Sequence, residues 1–250
     1  MAGDIRIGCS GWSYPHWRKV FYPEKMPARE HFAFYAQHFN TVELNNSFYR
    51  QPPLERFNAW REQAPPGFLF AIKGSRYVTH IKRLAVEQKS IDLVVEAALG
   101  LSDKLGLSDK LGPILFQLQA NFRLDLERLE RFAGMLPNDA RFTLEFRHDS
   151  WLVPAVFELL RAHRIALCIP DYPKMPKSFE VTSDFTYIRM HLPTGGLGYG
   201  ERALQPWAQR VLDWRQQSLD VFVYFNNDME GHAIKDARTL ISLVAGITKT

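Results

Sequence analysis

Short apolar runs alternate along the chain with longer stretches in which apolar residues return every three or four positions, a two-beat pattern that predicts strands alternating with helices. The runs at Ile5 to Cys9, Thr41 to Asn46, Phe68 to Lys73, Ile114 to Gln119, Phe142 to Arg147, Ile165 to Ile169, Phe185 to Leu192 and Val221 to Phe225 read as strands. Helical spacing appears at Arg29 to His38, at Leu54, Phe57, Trp60 and Ala64, at Ile91 to Leu99, and at Leu126, Leu129, Phe132, Ala133 and Leu136. It returns at Pro154 to His163, Leu204 to Gln217 and Ala233 to Ala245. The prolines of the segment Asp171 to Asp184 leave little room for a sixth helix. Eight strands with about seven full helices in a chain of this length predict an α/β fold, a single (β/α)8 TIM-barrel-like domain over residues 1–250 with a degenerate sixth helix. The hexapeptide LGLSDK occurs in tandem at Leu99 to Lys104 and Leu105 to Lys110, and the extra copy is expected to bulge ahead of the fourth strand, on the barrel face that serves stability.

The strands share a second pattern: each apolar run turns polar at its carboxyl-terminal end, where barrels build their sites. Period-two alternation, with Val42, Leu44, Leu144, Phe146, Ile188, Met190 and Leu192 facing outward, aims Glu43, Asn45, Ser47, Glu145, Arg147, Arg189 and His191 inward. Lys73, Gln117, Tyr224 and Asn226 join them from the third, fourth and eighth strands. These groups could merely satisfy one another as a salt-bridged plug, but buried ionic networks add little stability compared with apolar packing, so the pattern favours a site. Glu43, Glu145 and His191 are the expected proton carriers, and Lys73, Arg147 and Arg189 would clamp a phosphate or carboxylate. The expected activity is acid-base chemistry of hydrolase, lyase or isomerase type on a small anionic substrate, phosphorylated or sugar-like. The glycine-rich loop Gly195 to Gly200 reads equally as a phosphate-binding helix start or as a lid.

Composition bounds this reading. The chain is 46% hydrophobic and 23% charged with a formal charge of +4, an ordinary globular balance whose densest basic stretch is Lys73 to Arg83. That stretch and the aromatic loop of Trp12, Tyr14 and Trp17 support two alternatives, a nucleic-acid-binding or processing module and a non-catalytic ligand-binding barrel. Cys9 and Cys168 have no spaced partners, no metal-ligand spacing occurs, and no cofactor is called for. The amino end lacks a leader pattern and no apolar run approaches a membrane span, so a soluble cytoplasmic protein with no membrane partner is expected.

The blocks GCSGWSYPHW, VELNNSFYR, KGSRYVTHIKRL, DKLGPILFQL, LEFRHDSW, YIRMH and VYFNND, in that order along nearly the whole chain, resemble the YecE-like family, known as domain of unknown function 72. The resemblance implies a TIM-barrel-like fold and carries no established reaction. It adds Ser10, Trp12, Tyr49, Thr79, His80 and Asn227 to the motif positions; with the inward set, Ser10, Trp12, Asn45, Ser47, Tyr49, Lys73, His80, Gln117, Arg147, Arg189, Tyr224 and Asn226 are the expected substrate contacts. Two departures stand out: Leu192 replaces the glycine usual after the strand-seven His, and the family approach to the fourth strand has a single DKLGP copy.

Overall fold

A computed structural model describes residues 2–50, 52–101 and 110–248. Eight parallel strands, β1 (Ile5–Cys9), β2 (Thr41–Leu44), β3 (Leu69–Lys73), β4 (Leu111–Gln117), β5 (Phe142–Glu145), β6 (Ala166–Asp171), β7 (Phe185–Met190) and β8 (Asp220–Phe225), follow one another in chain order around a closed barrel. The α-helices are α1 (His31–Tyr35), α2 (Asn46–Tyr49), α3 (Leu54–Gln63), α4 (Gln88–Ala98), α5 (Leu126–Gly134), α6 (Pro154–Ala162), α7 (Gly200–Gln216) and α8 (His232–Ile247). The (β/α)8 architecture expected from the alternation is the one observed. No helix is described between β6 and β7, where the prolines predicted none.

Several boundaries differ from their sequence positions. β2 ends at Leu44, because Asn46–Tyr49 forms a single helical turn in which the Arg50 amide donates to the Asn46 carbonyl. Asn45 and Ser47 are therefore turn residues and not strand residues. β5 ends at Glu145 and β7 at Met190, so Arg147 and His191 sit just past their strands. The helix expected at Arg29 to His38 is a 3-10 turn, Ala28–Glu30, continued by α1. α7 starts at Gly200, a turn before its expected start, with Pro206 inside it. Of the duplicated hexapeptide, residues 102–109 lie outside the described residues, so the expected bulge does too; Leu99–Leu101 forms a 3-10 turn.

The chain divides into two compact units. One comprises Met1–Glu43, Ile169–Lys174 and Asp184–Thr250. Within it β8 pairs with β1 from Ile5 opposite Val221 to Cys9 opposite Phe225, and with β7 from Phe185 opposite Asp220 to Met190 opposite Phe225. Gly8 lets β1 and β2 approach closely, since a Cβ there would stand 2.3 Å from the Thr41 carbonyl oxygen. The Tyr35 hydroxyl rivets the same seam, accepting from the Cys9 amide at 2.9 Å and donating to the Thr41 carbonyl at 3.0 Å. Buried Ala233, Ile234, Ala237, Leu240 and Val244 give α8 its apolar stripe, and Trp17 is wholly buried with its indole N–H on the Asp228 carbonyl at 2.9 Å.

The other unit comprises Leu44–Cys168 and Met175–Ser183. β4 is buried along almost its whole length and pairs with β3 and β5, matching the near-continuous apolar run that a strand covered on both faces requires. Outside it, Phe116 meets Phe132 of α5 edge to face at 5.1 Å, and Phe146 lies flat on Trp151 at 4.8 Å. Burial of this kind, at about 1.5–3 kcal/mol per large apolar side chain, is what holds the strand ends rigid enough to carry polar groups.

Candidate functional site

Thr41 and Glu43 alternate onto one face of β2, as do Tyr187 and Arg189 on β7. The result is a two-layer polar stack within the first unit. In one layer the Tyr224 and Thr41 hydroxyls lie 2.7 Å apart, and both residues are fully buried. In the next the Glu43 carboxylate, also fully buried, accepts four hydrogen bonds. Ser10 Oγ at 2.7 Å and Arg189 Nη2 at 2.9 Å reach Oε1, while Tyr187 Oη at 2.7 Å and Arg189 Nε at 3.0 Å reach Oε2. Burial pushes the Glu43 carboxyl up, but the facing guanidinium and the Ser10 and Tyr187 hydroxyls outweigh it and hold the group below its ordinary range. A carboxylate so completely engaged is a fixed anion that orients its neighbours.

The other residues expected in this unit are placed around that stack. Ser10 accepts at its carbonyl from the Tyr14 hydroxyl, and Trp12, half-buried, meets Phe32 at 5.2 Å and accepts at its carbonyl from the Tyr22 hydroxyl. The His191 amide donates to the Asp171 carbonyl at 3.1 Å and its ring stands edge-on to Tyr172 at 6.4 Å. Asn226, half-buried, continues β8 through its amide to the Met190 carbonyl at 2.9 Å.

In the second unit the ends of β3, β4 and β5 carry a different assembly. Glu145 is fully buried at the end of β5; Arg147 Nε reaches its Oε1 at 2.7 Å, and the Cys168 thiol stands 3.9 Å from Oε2. Gln117, its register partner on β4, is buried and turns its amide to the Leu118 carbonyl at 3.3 Å. Lys73 ends β3. Its carbonyl accepts from Ser47 Oγ at 2.7 Å, which fastens α2 to the strand, and its ammonium lies 4.2 Å from the centre of the Phe48 ring. Phe48 in turn meets His80 edge-on at 5.0 Å and Tyr49 edge-on at 5.0 Å. Asn45 stands at the N-cap position of α2. Tyr49 is 78% exposed.

His80 lies in a single π-helical turn, Tyr77–Ile81, a geometry that recurs at functional positions. Thr79 Oγ1 lies 3.3 Å from the Ser75 carbonyl and 2.9 Å from His80 Nδ1, so it shares a hydrogen bond with the ring. Partial burial lowers the His80 pKa, and the nearby cations Lys73, Arg147 and Arg76 lower it further. The ring is accordingly neutral at pH 7, inside a positive field. Arg83 and Leu84, which leave this turn, both adopt positive φ, 49° and 68°, a strained exit for residues carrying side chains.

The glycine-rich loop leads into a helix start whose first amides are already occupied. The amides of Tyr199 and Gly200, the groups an anion would take, donate to Asp236 of α8 at 2.9 and 3.2 Å. Asp236 is buried and also accepts from Asn227 Nδ2 at 2.8 Å, while the same Asn227 amide reaches the Leu197 carbonyl at 2.8 Å. The protein supplies its own carboxylate where a phosphate was considered.

Sequence reasoning missed Tyr187, Arg76 and Asp236 as individual residues. Tyr187 was legible as the residue two before Arg189, hence on its face; Asp236 was legible as an acid inside the apolar stripe Ala233, Ile234, Ala237 and Leu240. Arg76 stood only as part of the basic stretch. Among the described residues no group of three or more His, Cys, Asp or Glu side chains is arranged to hold a metal ion, and no helix is long and apolar enough to cross a membrane.

The profile of the family described as "Protein of unknown function DUF72" matches residues 6–249. UPF0759 protein YunF of Bacillus subtilis (strain 168) is 27% identical, covering 96% of this chain and 94% of its own length. UPF0759 protein YecE of Escherichia coli (strain K12) is 32% identical over 85% of this chain and 82% of its own. The crystal structure of a DUF72 family protein from Thermotoga maritima MSB8 superposes with a TM-score of 0.86 at 26% identity, covering 97% of this chain and 99% of that one.

Proposed function

Given that the chain belongs to the DUF72 family, whose description assigns no reaction, we propose from its own side chains that it binds a small anionic substrate where β3 and β5 end and moves a proton on it. The observation that carries this reading is that the Lys73 ammonium and the His80 ring share the Phe48 ring, at 4.2 and 5.0 Å from its centre, in a field to which Arg147 and Arg76 also contribute, with Arg147 Nε held by buried Glu145. Cations beside a neutral base suit a phosphate or carboxylate that must be held while it reacts. His80 Nε2 is the proton acceptor in this reading, Glu145 is the second proton carrier, and Lys73 and Arg147 are the clamp. Two titratable groups in unlike environments are what acid-base chemistry near neutral pH requires.

The test is a calorimetric and thermal-shift titration with inorganic phosphate, phosphorylated sugars and organic acids at constant ionic strength. A ligand at 100 times its Kd stabilises by about 2.7 kcal/mol, roughly 5–10 °C for a chain of this size. Lys73→Met should abolish that shift. For a ligand that binds, turnover followed by NMR should disappear in His80→Gln while binding persists. If no small anion shifts the melting temperature of the wild-type protein, the assignment is wrong.

A further inference from the structure

The cation cluster does not end in water. Phe48 bears the Lys73 ammonium near its face and the His80 ring at its edge, and on its other contact it abuts Tyr49 at 5.0 Å. Tyr49 is 78% exposed, and from the adjoining π-helical turn Tyr77 at 45% and Ile81 at 63% are exposed as well. Large apolar side chains left in solvent singly are unremarkable, but Tyr49 is one ring contact away from the Phe48 face that carries the Lys73 ammonium. The turn that carries Tyr49 is pinned: Ser47 Oγ holds α2 to the Lys73 carbonyl. An exposed ring that is rigidly mounted loses little freedom when a flat group stacks on it, which is how aromatic side chains contribute at binding surfaces.

We infer that the occupant of the anion site is a phosphate monoester whose alcohol part carries a flat ring, the phosphate on Lys73 and Arg147 and the ring on Tyr49. This rests on the anion-site reading above and narrows it from any small anion to an aryl or heteroaryl phosphate. A monoester dianion suits the paired cations Lys73 and Arg147 better than a monoanionic carboxylate does, because it offers a second charge and a third oxygen to the two of them. A bare sugar phosphate would leave the tyrosine ledge in water.

The experiment compares inorganic phosphate, ethyl phosphate and phenyl phosphate by isothermal titration at fixed ionic strength, in the wild-type protein and in Tyr49→Leu. Phenyl phosphate should bind roughly 5- to 100-fold more tightly than ethyl phosphate, the range that one aromatic stack supplies. Tyr49→Leu should remove that preference and leave the affinity for inorganic phosphate unchanged; the exposed position makes loss of folding an unlikely confounder, and an unchanged far-UV spectrum checks it. Equal affinities for the phenyl and ethyl esters, with inorganic phosphate still bound, would overturn the aromatic part and spare the anion site. Failure of the wild-type protein to bind any of the three would remove both. A short oligonucleotide bound more tightly than phenyl phosphate, with affinity falling steeply in salt, would replace the monoester by a polyanion and overturn the inference.

Discussion

Replacing Arg189 by Met is expected to cost more at neutral than at acid pH, and the size of the effect follows from the geometry. The guanidinium supplies two of the four hydrogen bonds to Glu43 and the countercharge inside a fully buried stack. Removing one member of such a pair leaves a charge without compensation and costs about 3–5 kcal/mol. At about 2–4 °C per kcal/mol for a chain of this length, the melting temperature at pH 7.5 should fall by roughly 6–20 °C. In the wild-type protein Glu43 lies below its ordinary value of 4.5, so its contribution is full above pH 4.5 and is lost as pH falls through the folded value. In Arg189→Met burial has no guanidinium to oppose it, the carboxyl is pushed above 4.5, and the sign reverses: the variant loses stability as pH rises from 4.5 through the new folded value. Thermal melts of both proteins between pH 5 and 8 read this as a gap that widens with pH. Glu43→Gln combined with Arg189→Met should recover part of the loss at pH 7.5, since neither buried charge then remains. A gap independent of pH, or a double variant worse than the sum of the singles, would show that the arginine acts through packing alone.

The remaining predictions concern other titratable groups. His31, His38 and His80 all lie below their ordinary value of 6.5, with burial as the leading cause. The unfolded chain therefore takes up protons first as the solution is acidified, so stability is full above pH 6.5 and declines below it toward the folded values. Urea midpoints measured from pH 7.5 to 5.5 should fall, and a flat profile would contradict the assignment. Asp236→Asn exchanges an acceptor-only group for one bearing donors that face the Tyr199 and Gly200 amides. Charge-assisted hydrogen bonds are worth about 1.5–3 kcal/mol, so a comparable loss in denaturant titration is expected, with faster hydrogen exchange at those two amides. Unchanged exchange there would mean that the loop is held by other contacts.

The barrel was legible because its signal is redundant. Every strand announces itself by an apolar run, and the prolines between Asp171 and Asp184 declare the missing helix as clearly as the apolar stripes declare the others. The polar strand ends were legible for the same reason, since period two forces Thr41 with Glu43 and Tyr187 with Arg189 onto common faces. What the pattern did not carry was where each strand stops. Alternation continues on paper through Asn45 and Ser47, but the backbone has already turned into α2 to satisfy its own amides, so Ser47 fastens a turn to the Lys73 carbonyl. Partnership was equally hidden. Nothing in the spacing of GGLGYG says that an aspartate some 36 residues on from Gly200 meets its amides, because that contact depends on how α7 and α8 lie together.

The Asp236 contact also bears on competition. A phosphate from solution could reach the start of α7 only by displacing a carboxylate that belongs to the same molecule. Even a group on a short flexible tether is present at an effective concentration of about millimolar, and Asp236 is fixed more firmly than that, by a helix and by Asn227. The first amides of the helix are therefore already occupied by the protein's own carboxylate. The shape of the glycine-rich loop is thereby uncoupled from metabolite concentration: it is set at folding and stays the same whether anions are scarce or abundant.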